Sequence, residues 1–482
     1  MVNKDSEKGQ YASPEGSHYW EYLTTFCCTI IMLCIGNVVG WNSPSLGKLL
    51  APDSPITLTA SDASTMAAAV SMGHTFAPPL TMVMIDRLGR KMSLVITGVP
   101  LIICWGLIIV ANHVYILSAA RFIGGFSLGL GFCICPIYLG EVVSPKLRGS
   151  MGMLISIMFN SGVLFMMLVV PYVTIKASAG LCMGLVVVFL LCFSFMPESP
   201  YFLVMVGRDE EAEAVLEKLR GKTDVSEELE LIKLTLTQRG RSLEESDTAS
   251  GKRASSTPRK LDALRQICTV PGNRKALFII LLFVCAHHFG GFITITIYGH
   301  VVFTAMGVPI DSHICTTIVA LLQSVSTVVA TFLIDRLGRK PLLAVSGTIS
   351  GICLVVISGY FYAMEYMDID VSDYVMIPFS AVIVLVVAAN SGVMPIQNVI
   401  LSEIFDTDIK AVATCIFGVI SGIISIITVK YYLMMATSWG FGQSVPFIIC
   451  AIASWLCTGL LMWILPETRG KTFLQIQKDL NA

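Results

Sequence analysis

The feature that most constrains this chain is a series of long apolar runs. A helix needs about 20 apolar residues to cross the hydrocarbon core of a bilayer. Twelve runs of this kind lie at residues 23–40, 64–85, 92–111, 117–140, 150–173, 178–196, 276–298, 313–334, 341–363, 375–400, 411–436 and 444–465. They are continuous, unlike the alternating ten-residue strands of a transmembrane β-barrel. The sequence therefore predicts an all-α membrane protein with twelve transmembrane helices.

The composition also favours a lipid environment. Only 13% of the residues are charged and 55% are hydrophobic, whereas a soluble domain carries about 25% charged residues. The formal net charge of −1 argues against a nucleic-acid partner, which needs a basic surface. The first 22 residues are polar and mixed in charge, so we expect the first apolar run to be a span and not a cleaved leader.

Basic residues are distributed very unequally between the two sides of the predicted bundle. Of the 32 Lys and Arg residues, 28 fall in the termini and in the connections on the same side, two fall on the other side, and two lie within spans. Lys and Arg accumulate in cytoplasmic loops. We therefore expect the tails at 1–22 and 466–482 and the long loop at 197–275 to be cytoplasmic.

The long loop at 197–275 separates a predicted six-helix bundle at 23–196 from a second one at 276–465. Residues 207–240 are rich in Glu, Lys, Leu and Ala and contain no proline, which predicts short helices. Residues 241–258 are rich in Ser and Thr, which predicts a disordered linker.

Three motifs occur once in each bundle and in the same order. The sequence DRLGRK at 86–91 recurs letter for letter at 335–340, between the second and third spans of each half. The other two follow the fourth and sixth spans: Glu141 and Arg148 with Glu403 and Lys410, and Pro197-Glu198 with Pro466-Glu467. This pattern indicates two homologous halves, with a substrate site between them near the membrane midplane.

Together these motifs resemble the sugar porter family of the major facilitator superfamily over nearly the whole chain. Arg121-Phe-Ile-Gly-Gly at the start of the fourth span and Pro136-Ile-Tyr138-Leu-Gly-Glu141 at its end add to the resemblance. Residues 40–46 (GWNSPSL) are most similar to the insect branch that includes facilitated trehalose transporters. The resemblance implies a monomeric plasma-membrane carrier, not an enzyme, that moves a hexose, trehalose or related polyol by alternating access.

No cofactor or metal is expected. The 15 cysteines are scattered mostly within spans and none has the spacing of a zinc site. The sequence also contains no Walker or GxGxxG nucleotide-binding pattern.

Charged residues at the cytoplasmic helix ends are predicted to form a gate, with carboxylates and cations of the same half lying close together. Ion pairs partly shielded from water are worth more than exposed pairs, which contribute about 0–1 kcal/mol. If the pairs form only when the cytoplasmic side is shut, they favour the outward-open state; the alternative is that they only anchor loops. The predicted gate residues are Asp86, Arg87, Arg90, Glu141, Arg148, Glu198, Asp335, Arg336, Arg339, Glu403, Lys410 and Glu467.

Arg121 is a charged residue predicted to lie within the fourth span, near its outer end. An ionisable residue in a span is a functional candidate by default, although a long side chain near a helix end can also snorkel to the interface. The resemblance implies a structural or coupling role for Arg121 rather than contact with a sugar.

The chain departs from the family pattern at the positions that the resemblance assigns to sugar contacts. The amide pair of the seventh span is replaced by His287-His288, which is followed by Gly290-Gly291. Carried over position by position, the candidate binding residues are Ser156, His287, His288, Gln323, Gln397, Asn398 and Ser421. These polar groups can hydrogen-bond the hydroxyls of a solute or can join helices to one another.

Two hypotheses describe how transport is driven: passive uniport and coupling to protons. The resemblance implies an Asp in the first span of proton-driven members, and residues 23–40 contain no carboxylate. A passive uniporter is therefore favoured, with proton linkage through His74, His287 or His288 as the alternative, since imidazole titrates near neutral pH. A receptor with a carrier fold that binds sugar without transport is a further alternative.

Overall fold

The structure is a computed structural model. It describes residues 18–249, 267–467 and 475, apart from residues 52, 53, 55, 57, 146, 268 and 406. In this part of the chain, twelve helical segments are long and apolar enough to cross a membrane. The predicted number of spans and the all-α fold class are confirmed.

The N-terminal half contains seven of the described helices. They are α1 (Tyr19–Gly40), α2 (Asn42–Leu49), α3 (Ala60–Leu88), α4 (Arg90–Val110), α5 (Val114–Val142), α6 (Arg148–Val169) and α7 (Ile175–Ser194). The short helix α2 continues the span of α1, so the GWNSPSL sequence lies inside the bundle. Glycines allow close helix contacts here: a Cβ on Gly36 of α1 would overlap the backbone of Phe159 of α6.

Three helices follow the sixth span: α8 (Pro200–Met205), α9 (Asp209–Arg220) and α10 (Ser226–Ala249). The first part of the central loop is therefore helical, as its composition predicts. The disordered linker predicted at 241–258 is wrong for residues 241–249, which continue α10. Those nine residues contain no glycine or proline to stop a helix, and residues 250–258 lie outside the described part.

An ion-pair clamp joins these loop helices to the N-terminal half. The Arg220 guanidinium donates to both carboxylate oxygens of Glu228, to Glu21 at the start of α1, and to the carbonyl oxygen of Val142. Glu21 is fully buried and also accepts from the hydroxyl of Ser144 at 3.0 Å. Burial alone would lower the pKa of Arg220, but its contacts with Glu228 and Glu21 raise it. The clamp therefore attaches α9 and α10 to the N-terminal half.

The C-terminal half repeats the six-span plan with more interruptions. Its helices are α11 (Pro271–Phe289), α12 (Phe292–Met306), α13 (Ser312–Leu337), α14 (Arg339–Glu365), α15 (Met376–Ser391), α16 (Val393–Glu403), α17 (Thr407–Leu433) and α18 (Ser444–Ile464). The seventh span is broken between α11 and α12, where Gly291 has a left-handed φ of 75°. The tenth span is broken between α15 and α16 at Gly392. Helix breaks of this kind are tolerated in a membrane where they line a cavity.

Candidate functional site

A cavity of about 2020 Å³ lies between the two halves. It extends from a deep end at Asn42, Arg121 and Ile297 to a mouth at Glu141 and Lys233. We call the surface that carries the mouth and α8–α10 the loop face. Both halves contribute lining residues, so the cavity depends on how the halves are positioned relative to each other.

The deep end of the cavity is closed by contacts between α2 and α12. The Asn42 side-chain amide donates to the carbonyl oxygen of Ile297 at 3.1 Å. The backbone N–H of His300 donates to the hydroxyl of Ser43, also at 3.1 Å. Gly47 faces the His300 ring so closely that a Cβ would lie 2.7 Å from Cε1. These contacts join opposite halves and separate the cavity from the face opposite the loop face.

The structure brings all seven predicted binding residues to this cavity. His288, Gln323 and Gln397 are at most 6% exposed, whereas Asn398 is exposed. The full set comes from α6, α11, α13, α16 and α17: Ser156, His287, His288, Gln323, Gln397, Asn398 and Ser421. The cavity therefore has polar groups on both sides within a mostly apolar wall.

The two adjacent histidines both line the cavity. His288 Nε2 lies 2.9 Å from the hydroxyl of Ser421. The Nδ1 atoms of both rings and the Oε1 of Gln397 are buried without a partner among the described residues. A solute with several hydroxyls offers the donors and acceptors that these atoms lack.

A polar cluster across the halves was missed by the sequence analysis. Asn160 of α6 accepts from the Gln323 amide at 2.8 Å and donates to the Thr327 hydroxyl at 3.0 Å. Asn160 lies four residues after Ser156, which places both on the same helix face. This spacing was the sequence pattern that could have placed Asn160 at the cavity. Asn160 gives the N-terminal half a buried amide at the cavity.

A second contact across the halves joins α3 to α17. The hydroxyls of Ser71 and Ser425 lie 2.7 Å apart. A Cβ on Gly418 would lie 2.8 Å from Pro78, and one on Gly422 would overlap Thr75. Small residues allow this approach. Thr75 packs directly against Gly422, so this position has no space for a side chain in this arrangement.

In the N-terminal half, the predicted gate residues form a dense ionic network. Arg90 donates to Glu141 through Nε and Nη2, at 3.2 and 2.9 Å, and the Ser199 hydroxyl donates to the other oxygen of Glu141. Glu198 accepts from the backbone N–H groups of Arg90, Lys91 and Ser199 at 2.8–3.1 Å. Burial raises the pKa of Glu198, and the three N–H groups and Arg90 only partly oppose that increase.

The part of the C-terminal half that the structure describes contains a matching arrangement with fewer hydrogen bonds. Arg339 Nη2 donates to Glu403 at 2.8 Å. Glu467 accepts from the backbone N–H groups of Arg339 and Lys340 at 3.3 and 3.1 Å. In both halves a carboxylate thus binds the start of the helix that follows DRLG, where the free N–H groups and the helix dipole favour an anion.

The remaining predicted gate residues have different positions. Arg87, Arg148 and Arg336 are exposed, as is Asp86, and Asp86 and Arg336 have interactions of their own. The side chains of Asp335 and Lys410 lie outside the described residues. The Arg90–Glu141 and Arg339–Glu403 pairs are present although the cavity opens at the loop face, so these pairs do not form only when that face is shut.

Arg121 is buried rather than directed toward the membrane surface, so snorkelling is the wrong description. The residue is 1% exposed. Its Nη1 donates to the carbonyl oxygen of Val38, and its Nη2 lies 3.4 Å from Oδ1 of Asn42. The guanidinium lies 5.3 Å from the ring centroid of Trp41. It therefore lies in the interior of the N-terminal half, at the deep end of the cavity.

Twelve spans in two six-helix halves around a central cavity define the major facilitator class of membrane proteins. Solved structures show the same fold. The inward-open xylose transporter XylE from E. coli has a TM-score of 0.75 at 20% identity, over 95% of this chain and 99% of that one. The proton:xylose symporter XylE bound to 6-bromo-6-deoxy-D-glucose gives 0.71 at 20% identity, over 96% and 99%.

The chain belongs to the family described as "Sugar (and other) transporter", whose model matches residues 7–480. A facilitated trehalose transporter Tret1 from Aedes aegypti is 31% identical over 406 residues, which are 82% of this chain and 47% of that protein. Tret1 from Culex quinquefasciatus is 30% identical over 82% of this chain and 73% of its own length. This chain thus spans about half the length of the Aedes relative.

Proposed function

We propose that the protein is a facilitative carrier that moves a sugar, namely a hexose, trehalose or a related polyol, across the plasma membrane. The observation that supports this function is the cavity between the halves, which is closed at Asn42 and Ile297 and open at the loop face. The names of the trehalose transporter relatives agree with a sugar as the solute.

In this proposal, the solute binds between Asn160 and Gln323 on one side and the pair His287-His288 on the other. Amide, hydroxyl and imidazole groups both donate and accept hydrogen bonds and carry little desolvation cost compared with a charge. Ser156, Gln397, Asn398 and Ser421 complete the binding set. The solute replaces contacts that now connect the halves, such as that between Asn160 and Gln323, and so permits them to rock.

The ionic networks at the loop face are the proposed gate, and the loop face is the proposed cytoplasmic side. Their carboxylates bind helix starts within each half, so the networks keep each half rigid while the halves move against each other. The basic residues of the tails at 1–22 and 466–482 and of the loop at 197–275 support this orientation. The rigid units are the bundles at 23–196 and 276–465.

Uniport is the proposed mode of transport. Residues 23–40 of the first span contain no carboxylate, and Glu21 at the start of that span is paired with Arg220. Arg121 contacts a carbonyl and an amide oxygen instead. A proton ionophore should leave uptake unchanged. Loss of uptake on adding the ionophore would instead support proton linkage through His74, His287 or His288.

The direct test is uptake by purified protein in proteoliposomes, with labelled glucose, trehalose and a polyol. Counterflow, in which labelled solute accumulates transiently against unlabelled solute inside, is the expected result for a carrier. His288→Ala should reduce uptake about tenfold or more, because one lost hydrogen bond to a bound solute is worth about 1.5 kcal/mol. His113→Ala, on an exposed histidine outside the cavity, is the control. Binding without counterflow would show a receptor.

A further inference from the structure

Arg121 has fewer partners than a buried guanidinium requires. Two of its nitrogens contact neutral oxygens, those of Val38 and Asn42. The third, Nε, is buried and has no partner among the described residues. A guanidinium offers five N–H donors and is permanently charged. The hydrogen bonds are thus incomplete and the charge is not neutralised.

No carboxylate in the described part of the chain forms an ion pair with Arg121. The charged side chains that line the cavity, namely Asp86, Arg90, Glu141, Asp209 and Lys233, belong to the loop-face end, not to the deep end. Cys104 is the titratable neighbour of Arg121, and a thiol is neutral at pH 7 in its ordinary range. A buried charge is normally paired, so a counter-anion is missing here.

The position of Arg121 shows where such an anion would enter. Arg121 and Asn42 both line the deep end of the cavity, and the cavity opens at the loop face. Asn42 also donates to Ile297 of the other half. One side chain therefore connects the guanidinium to the contact that closes the deep end.

We propose that the deep end of the cavity is an anion site, in which Arg121 binds either a small inorganic anion or the acidic group of an anionic solute. The anion supplies the negative charge that no described carboxylate provides to Arg121, and the acceptor that Nε lacks. Arg121 also contacts Asn42, which donates to Ile297. Anion binding therefore changes the strength of the contact between α2 and α12. The proposal concerns binding and does not require that the transported solute is trehalose.

The test measures thermal unfolding of the purified full-length chain in sodium methanesulfonate, whose anion is larger than chloride. Sodium chloride, sodium glucuronate or neutral glucose is then added. A ligand that binds the folded state raises the unfolding temperature in a saturable way. Chloride or glucuronate should do so for the wild type and for Arg121→Lys, and not for Arg121→Gln. Lys430→Gln is the matched control, because Lys430 is a half-buried cation within a span and does not itself line the cavity.

The results separate the two sources of the anion. Saturation by chloride identifies an inorganic anion, and uptake of neutral sugar should then fall between about fivefold and 150-fold without chloride, the usual range of coupling between sites. Saturation by glucuronate with no effect of chloride identifies an acidic solute.

If neither anion raises the wild-type unfolding temperature, or if Arg121→Gln responds like the wild type, the proposal is overturned. The wild-type titration decides this even if Arg121→Gln does not fold. Because the measurement needs no transport, its failure is distinct from failure of the carrier function.

Discussion

The two copies of DRLGRK are identical in sequence and differ in what surrounds them. In the N-terminal copy, both oxygens of Glu141 have donors, two from Arg90 and one from Ser199. In the C-terminal copy, Arg339 makes one bond to Glu403. The Nε of Arg339 and the Oε2 of Glu403 are buried without a partner among the described residues.

The difference comes from the neighbouring segments and not from the repeated motif. Ser199 supplies a third donor in the N-terminal half, and the Phe202 ring lies 5.3 Å from the Arg90 guanidinium. The loop helices are also attached to this half through Glu21 and Arg220. Among the described residues, an identical hexapeptide therefore makes more hydrogen bonds in one half than in the other, although Arg90 Nη1 also has no partner there. We expect the network with fewer bonds to rearrange more easily.

The largest predicted effect is that of Glu21→Gln, which tests whether the clamp makes the N-terminal half the more rigid one. It leaves the buried Arg220 with one carboxylate fewer, which costs about 3–5 kcal/mol for a buried pair. The unfolding temperature should fall strongly, and protease should cleave the loop helices faster. Glu210→Gln, on an exposed glutamate of α9, is the control. Equal effects of the two variants would show that the clamp contributes nothing.

Glu141→Gln is predicted to have the next largest effect. It removes the charge that receives three hydrogen bonds, and bonds to a charged group contribute about 1.5–3 kcal/mol each in net terms. We expect a loss of about 2–3 kcal/mol in unfolding free energy, measured by chemical denaturation in detergent. Ser199→Ala should reproduce a part of this loss. A Glu141→Gln variant as stable as the wild type would refute the inference that the Glu141 network stabilises the N-terminal half more than its counterpart stabilises the C-terminal half.

Gly89→Ala tests the shared geometry of the two copies. Gly89 has φ 84° and Gly338 φ 86°, a region that costs other residues about 1–3 kcal/mol. A Cβ on Gly89 would also lie 2.5 Å from Oε2 of Glu198. The unfolding temperature should therefore fall. Gly140→Ala is the control, since no atom lies within 4 Å of its Cβ position and alanine favours a helix. Equal changes would mean that φ at Gly89 is not constrained.

Glu403→Gln is predicted to have the smallest effect on stability, below about 1 kcal/mol, because the single pair is partly exposed. Its effect should appear instead in the distribution of conformations. The Arg339–Glu403 pair is formed while the cavity is open at the loop face, so its loss should reduce the inward-open population and increase labelling of an engineered cysteine on the face opposite the loop face. A larger loss of stability than for Glu141→Gln would reverse the order of the two halves.

The fold could be predicted from the sequence because it depends on patterns that extend over many residues or recur in both halves. Twelve apolar runs set the spans, and the repeated motifs indicated which carboxylates lie near Arg90 and Arg339. The contact between Asn160 and Gln323 could not be predicted, since it joins residues 163 positions apart and apolar helices carry no pattern that specifies the facing side.

Burial of Arg121 could not be deduced either. A position near the end of a span is compatible with both snorkelling and an interior site, and the choice depends on the contacts of Arg121 with Val38 and Asn42 in the first span. The helical residues 241–249 show the opposite error, in which composition suggested disorder although no helix-breaking residue was present.

The central claim is that solute passes through one cavity whose deep end must open. Ser43 and His300 lie in contact across that closure. In the double variant Ser43→Cys/His300→Cys, an oxidant should form a disulfide that stops uptake of labelled sugar, and a reductant should restore it, while the wild type under the same oxidant continues to transport. Full uptake by protein in which mass spectrometry shows the disulfide would contradict the account.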